Sequence, residues 1–223
     1  MHPHHATARH AGIAIIVSAI ASIAAVASDS MASGKDALSI MQSMIALQQS
    51  HQLVHIVAMA CLGGLMFGYT VLAQQLGLRR TPVLLGLIAY GMGTLLMLIA
   101  TVVDGFIGTD LAVMFAGKSP EAVKAGYWMI QAASNVVLID IARVSWVLQS
   151  VAAVCWAIAL QGERGYQRAV GVLGLVVGAL PALAIVMVGA NMTEMVVVGI
   201  LLLQALWNIA AATVLLRSPS SRS

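Results

Sequence analysis

"HQLVHIVAMACLGGLMFGYTVLAQQL", residues His51–Leu76, contains no aspartate, glutamate, lysine or arginine. About 20 apolar residues in helical form cross the hydrocarbon core of a bilayer, so this run is long enough to span one. Five further runs of the same kind follow from the sequence: Ala11–Ser28, Pro82–Val103, Val136–Leu160, Ala169–Val188 and Met195–Leu216. The whole chain agrees with them. Of its 223 residues 61% are hydrophobic and 9% charged, where a soluble domain carries about 25% charged residues. The expected fold class is all-α, a polytopic membrane helix bundle with six transmembrane helices forming one domain over residues 1–223.

Charge distribution sets the expected orientation. The basic segments "GLRRTP", "QGERGYQR" and "RSPSSRS" follow the second, fourth and sixth spans, whereas the other connections carry Asp29, Asp36, Asp104, Asp110, Glu121 and Glu194. The positive-inside rule then puts both termini in the cytoplasm and the acidic connections outside. Two of the outer connections have helical stretches, residues 36–50 and 119–135, which either lie in the interface or extend the following span outward. "SPEAV" reads as a helix start, with Ser119 as N-cap, Pro120 in the first position and Glu121 in the first turn. "AVA" at Ala25–Ala27 resembles a signal-peptide cleavage site, but the "HPHH" start has only one nearby arginine, Arg9, and an uncleaved first span is expected. The expected location is a bacterial inner membrane.

Small residues recur at close spacing: Gly64 and Gly68 in the second span, and Gly171, Gly174 and Gly178 in the fifth. Such spacing lets helix backbones approach closely. Cys61 and Cys155 sit in apolar runs without a CxxC pattern and read as small packing residues.

The chemistry-bearing residues cluster at the start of the second span. Met41, Met44, Gln48, His51, Gln52, His55, Met59 and Met66 fall within an arc of about 100° on one helix. Two imidazoles at i and i+4 suit one zinc or copper ion, and thioethers suit copper, so His51, His55 and Met59 are candidate ligands. The same residues also fit a plainer role, methionines filling gaps between helices and histidines hydrogen-bonding at the interface. Counting at 1.5 Å per residue from the cytoplasmic ends, His55, Asp104 and Asp140 stand about 32, 33 and 30 Å up their helices. Asp104 and Asp140 are therefore candidate carboxylate ligands, and Glu194 lies at similar height. Asp140 also precedes Arg143 by three residues, the spacing of an intrahelical ion pair. Asn135, Gln149, Gln204 and Asn208 are the remaining intramembrane polar groups, suited to contacts between helices. Haem is a weaker expectation than copper or zinc, because no histidine in another span completes a bis-histidine pair.

The "TARHAGI" entry, six spans and "RAVGVLGLVVGALPAL" opening the fifth resemble uncharacterised bacterial six-span integral membrane proteins. That resemblance rests on layout and implies no functional residues. Similarity to transmembrane hydrolases that bind zinc through histidines and an aspartate is weaker, since a further histidine in another span is missing here. The sequence has no GxSxG, Walker A, HExxH or dinucleotide fingerprint and no basic stripe for nucleic acid. Three readings stay open: a metal-binding or sensing protein, an accessory subunit of a membrane complex, and a small transporter or intramembrane enzyme. The expected partners are the lipid bilayer and another membrane protein or a second copy of this chain.

Overall fold

A computed structural model describes residues 3–189 and 193–217, with the side chains of residues 3–5 and 194 left aside. The histidine-rich start, the Glu194 carboxylate and the serine-rich tail therefore lie outside the described residues or side chains. The described chain is all-α. Its helices are α1 (Pro3–Ser28), α2 (Ala37–Leu76), α3 (Thr81–Phe115), α4 (Pro120–Gln161), α5 (Tyr166–Val188) and α6 (Glu194–Leu216). All six are long and apolar enough to cross a membrane, and the protein is a multi-pass membrane protein.

Three helices extend well beyond a bilayer. α2, α3 and α4 have 40, 35 and 42 residues, or about 60, 53 and 63 Å against a hydrocarbon core of about 30 Å. The stretch after Asp36 runs unbroken into α2, and the stretch after Ser119 into α4. α3 likewise continues past Val103, where hydropathy alone suggested an end. Asp104 and Asp110 interrupt its apolar run without ending the helix. The projecting ends bury one another: Met41, Ala112, Val123 and Ile130 form a small core, flanked by Phe115 and Tyr127. Caps define where these helices begin. Asp36 accepts from the Ser39 N–H at 2.8 Å while the Asp36 N–H donates to Ser39 Oγ at 3.1 Å, a reciprocal capping box. Ser119 accepts from the Ala122 N–H ahead of Pro120.

The helices pack as an antiparallel ring in chain order, closed by α6 against α1. Small residues mark the contacts. Gly64 and Gly68 of α2 face Ser18 and Ile15 of α1, and Gly12 of α1 lies against Leu216 at the end of α6. Gly171 and Gly178 of α5 meet Ala157 and Ala153 of α4, and Gly174 meets Trp207 of α6. The small-residue spacing in the sequence thus corresponds to close helix approaches, and both described ends of the chain share one end of the ring. Leu53, Ile56, Leu85, Ile88, Val172 and Leu183 point outward, exposed, as a lipid-facing surface requires.

Towards the end of the ring where α2 stops and α3 begins, Tyr69, Tyr90 and Trp156 form an aromatic knot. Tyr69 stacks on Trp156 with centroids 4.6 Å apart, and Tyr90 lies 4.5 Å from Tyr69. The Tyr69 hydroxyl donates to Asn208 Oδ1 on α6. Above this knot the ring is hollow: a cavity of about 520 Å³ takes lining residues from all six helices. Asp29, His55 and Asp104 line its mouth, and Tyr90 and Asn208 its deep end. Asp104 and Tyr90 are four turns apart on α3, about 21 Å along the axis.

Candidate metal centre

α2 carries the two histidines on adjacent turns, with ring centroids 4.3 Å apart. α3 answers them with an unusual backbone. Residues Val103–Ile107 form a π turn that begins beside Asp104, and Ala133–Leu138 of α4 form another packed against it. A π turn inserts one extra residue into the helix and recurs at functional sites. Gly105 sits within the first. A Cβ placed there would come within 2.5 Å of His55 Cβ and Cγ, so the imidazole reaches Asp104 only because position 105 has no side chain.

The four polar groups form a continuous chain. His51 Nδ1 lies 2.7 Å from Asp29 Oδ1, and His51 Nε2 lies 3.3 Å from the Asp104 carbonyl oxygen. His55 Nδ1 donates to the His51 carbonyl oxygen at 2.8 Å, while His55 Nε2 lies 3.2 Å from Asp104 Oδ2. His55 is buried and His51 half-buried. Each ring thus has an oxygen acceptor at both nitrogens. A neutral imidazole carries one N–H and one lone pair, so an added proton or a metal ion fits the second contact of each ring.

The added cation is a proton, on a ring or on the carboxylate that the ring faces, or a metal ion among them. Two imidazolium rings 4.3 Å apart would repel by about 4 kcal/mol at an effective dielectric of about 20, a cost that their carboxylate partners at 2.7 and 3.2 Å would offset. One divalent ion beside two neutral rings balances the two carboxylates without that repulsion. Donor atoms of Asp29, His51 and His55 lie within 4.8 Å of one another. Tetrahedral zinc, with bonds of about 2.0–2.1 Å, sets its ligands about 3.3 Å apart. The 2.7 Å His51–Asp29 pair would open slightly to meet this; Asp104 lies 3.2 Å from His55 Nε2 but outside that group of three, and would move inward to serve as a fourth ligand.

The other sequence candidates go elsewhere. Asp140 pairs with Arg143 at 2.8 Å, its carboxylate largely exposed, and it does not line the cavity mouth. Met59 is half-buried on α2 and also outside the cavity lining. Asn135 donates to Gln131, and Gln149 to Ser145 Oγ. Gln149, Gln204 and Asn208 line the cavity below the histidines. The methionine–histidine stripe of α2 is the face turned to α3. Met44 abuts Gly108, Gln48 donates to Asp110 and Met66 reaches towards Gly91. Its methionines therefore pack, while its histidines make the polar cluster.

Asp29 had no signal of its own in the sequence beyond being a loop acid. It was nevertheless reachable through helix register. Stepping equally along both helices from the Gly64–Ser18 contact brings Asp29 level with His51 to within a turn. Comparisons with protein families, with characterised proteins and with solved structures give no match to this chain, so the reading of the site rests on its own geometry.

Proposed function

We propose that this membrane protein binds a divalent transition-metal ion at the outer mouth of its cavity, through His51, His55, Asp29 and Asp104. One observation carries the reading: every ring nitrogen of the two histidines faces an oxygen acceptor, an arrangement that calls for extra positive charge. Two imidazoles with two carboxylates suit zinc first and copper(II) second, and lack the sulfur that favours copper(I). Asp140 and Met59 are no part of this donor set. The positive-inside rule places the site on the outer face of the membrane, where it would take the ion from outside.

The ion would exchange with protons. Imidazoles must be neutral to bind it, so loading releases protons and acid expels the metal. A site whose occupancy depends on both metal and pH suits sensing. The hollow ring favours a second reading, a carrier that passes its ligand inward, over a filled accessory subunit. Zinc titration of the detergent-purified full chain, by calorimetry in two buffers of different ionisation enthalpy, tests the binding reading. The expected result is one zinc per chain with proton release, both lost in His51→Ala/His55→Ala. Equal zinc uptake by a folded double variant would overturn it. Zinc uptake into sealed vesicles separates carrier from sensor.

A further inference from the structure

Below the metal centre the cavity has a different chemistry. Its lining residues include no lysine or arginine, and its only charged groups are those at the mouth. Trp146, Trp207 and Tyr90 supply flat aromatic walls. At about 520 Å³ it falls in the size range of small-molecule pockets, about 300–1,000 Å³.

Two residues that line this space carry a buried donor without a hydrogen-bond partner among the described residues: Ser150 with Oγ on α4 and Gln204 with Nε2 on α6. Ser150 is only 4% exposed. The Thr70 and Thr101 hydroxyls bond back to their own backbone, at the Met66 and Met97 carbonyls. Ser150 does not. Asn208 sits nearby with its carbonyl oxygen occupied by the Tyr69 hydroxyl, which leaves its amide as a donor. An unpaired buried donor is costly, so donors carried by the lining residues of one apolar chamber point to what should fill it. The complement is an oxygen acceptor. It should be uncharged, because no cation stands at the deep end to balance an anion and two carboxylates guard the mouth.

We infer that the chamber binds a neutral, lipophilic ring compound bearing a carbonyl group. Its oxygen accepts from Ser150 and Gln204, and its apolar body lies against Trp146 and Trp207. This ligand is separate from the metal ion and occupies the cavity beneath it.

The probe is 6-propionyl-2-dimethylaminonaphthalene, a neutral aromatic ketone whose emission moves to longer wavelength when its carbonyl accepts hydrogen bonds. It is titrated into the full chain in detergent and into detergent alone, with tryptophan excitation reporting transfer from the chamber walls. Saturable binding of one probe per chain with red-shifted emission is expected. Ser150→Ala/Gln204→Leu should weaken it about tenfold or more, the loss of two hydrogen bonds, and shift the emission back. Because both donors lack protein partners, the same variant should melt no lower than the native chain. Ala205→Phe, which fills the chamber and leaves both donors in place, should abolish saturable binding. His51→Ala/His55→Ala should retain it. Binding that never saturates, or that is equal in the native chain and the folded donor variant, would overturn the inference. So would a lower melting temperature of the donor variant, since the two groups would then be holding structural water.

Discussion

Gly105→Ala tests the link between the π turn and the metal centre. In an unobstructed helix this exchange stabilises by up to about 1 kcal/mol. Here the new methyl would lie 2.5 Å from His55 Cβ and Cγ, and Cβ is fixed to the α2 backbone and unable to swing aside. Ordinary carbon contact begins near 3.5 Å, so α2 and α3 must part locally by about 1 Å. Overpacking of this kind costs about 1–3 kcal/mol, and the net effect is a loss of up to about 2 kcal/mol. The same displacement moves His55 Nε2 away from Asp104, and disturbing a ligand's support typically lowers metal affinity about 10- to 100-fold. Gly63→Ala is the matched control, because a methyl there meets nothing within 4 Å. Thermal unfolding in detergent with and without zinc, together with zinc titration, reads both effects. Gly63→Ala should melt at or above the native temperature with native zinc affinity, and Gly105→Ala below it with weakened binding. If the two variants behave alike, the close approach of His55 to α3 is wrong.

Other outcomes follow from the same geometry. Asp29→Asn and Asp104→Asn should each weaken zinc binding at least about tenfold, whereas Asp140→Asn, at the Arg143 pair, should leave it unchanged in the same titration. Zinc affinity should fall steadily as pH is lowered, because each imidazole must lose its proton to bind; equilibrium dialysis across a pH series reads this, and a flat profile would contradict it. The N–H and hydroxyl of Ser39 hold the Asp36 carboxyl below the ordinary carboxylate value. The cap therefore stabilises the start of α2 fully above about pH 3.9 and loses that contribution as pH falls through the lower folded value. Ser39→Ala, which keeps the backbone N–H but loses the hydroxyl, should lessen the pH dependence and speed amide exchange over the first turn of α2, measured by mass spectrometry.

The membrane architecture was legible because apolar runs long enough to cross a bilayer have few alternatives. The ends of the helices were less so. Asp104 and Asp110 break the apolar run of α3 but satisfy no backbone group that would stop a helix, and the chain continues to Phe115. His51, His55 and Asp104 were legible as candidates through a face of α2 and a shared height. Asp140 passed the same height test and failed on direction, since height along a helix does not specify the face. Asp29 failed the opposite way. It lies after the end of α1, where periodicity gives no orientation, and only the pairing of α1 with α2 brings it to His51. Gly105 and Ser150 carry no pattern of their own; their roles depend on what the neighbouring helix presents.

X-ray absorption at the zinc edge of the loaded, detergent-purified protein tests the metal centre most directly. Four nitrogen or oxygen ligands at about 2.0–2.1 Å are expected, with the multiple scattering of two imidazole rings and no sulfur. A sulfur shell, a fully hydrated ion or a spectrum without imidazole scattering would contradict a centre built on His51 and His55.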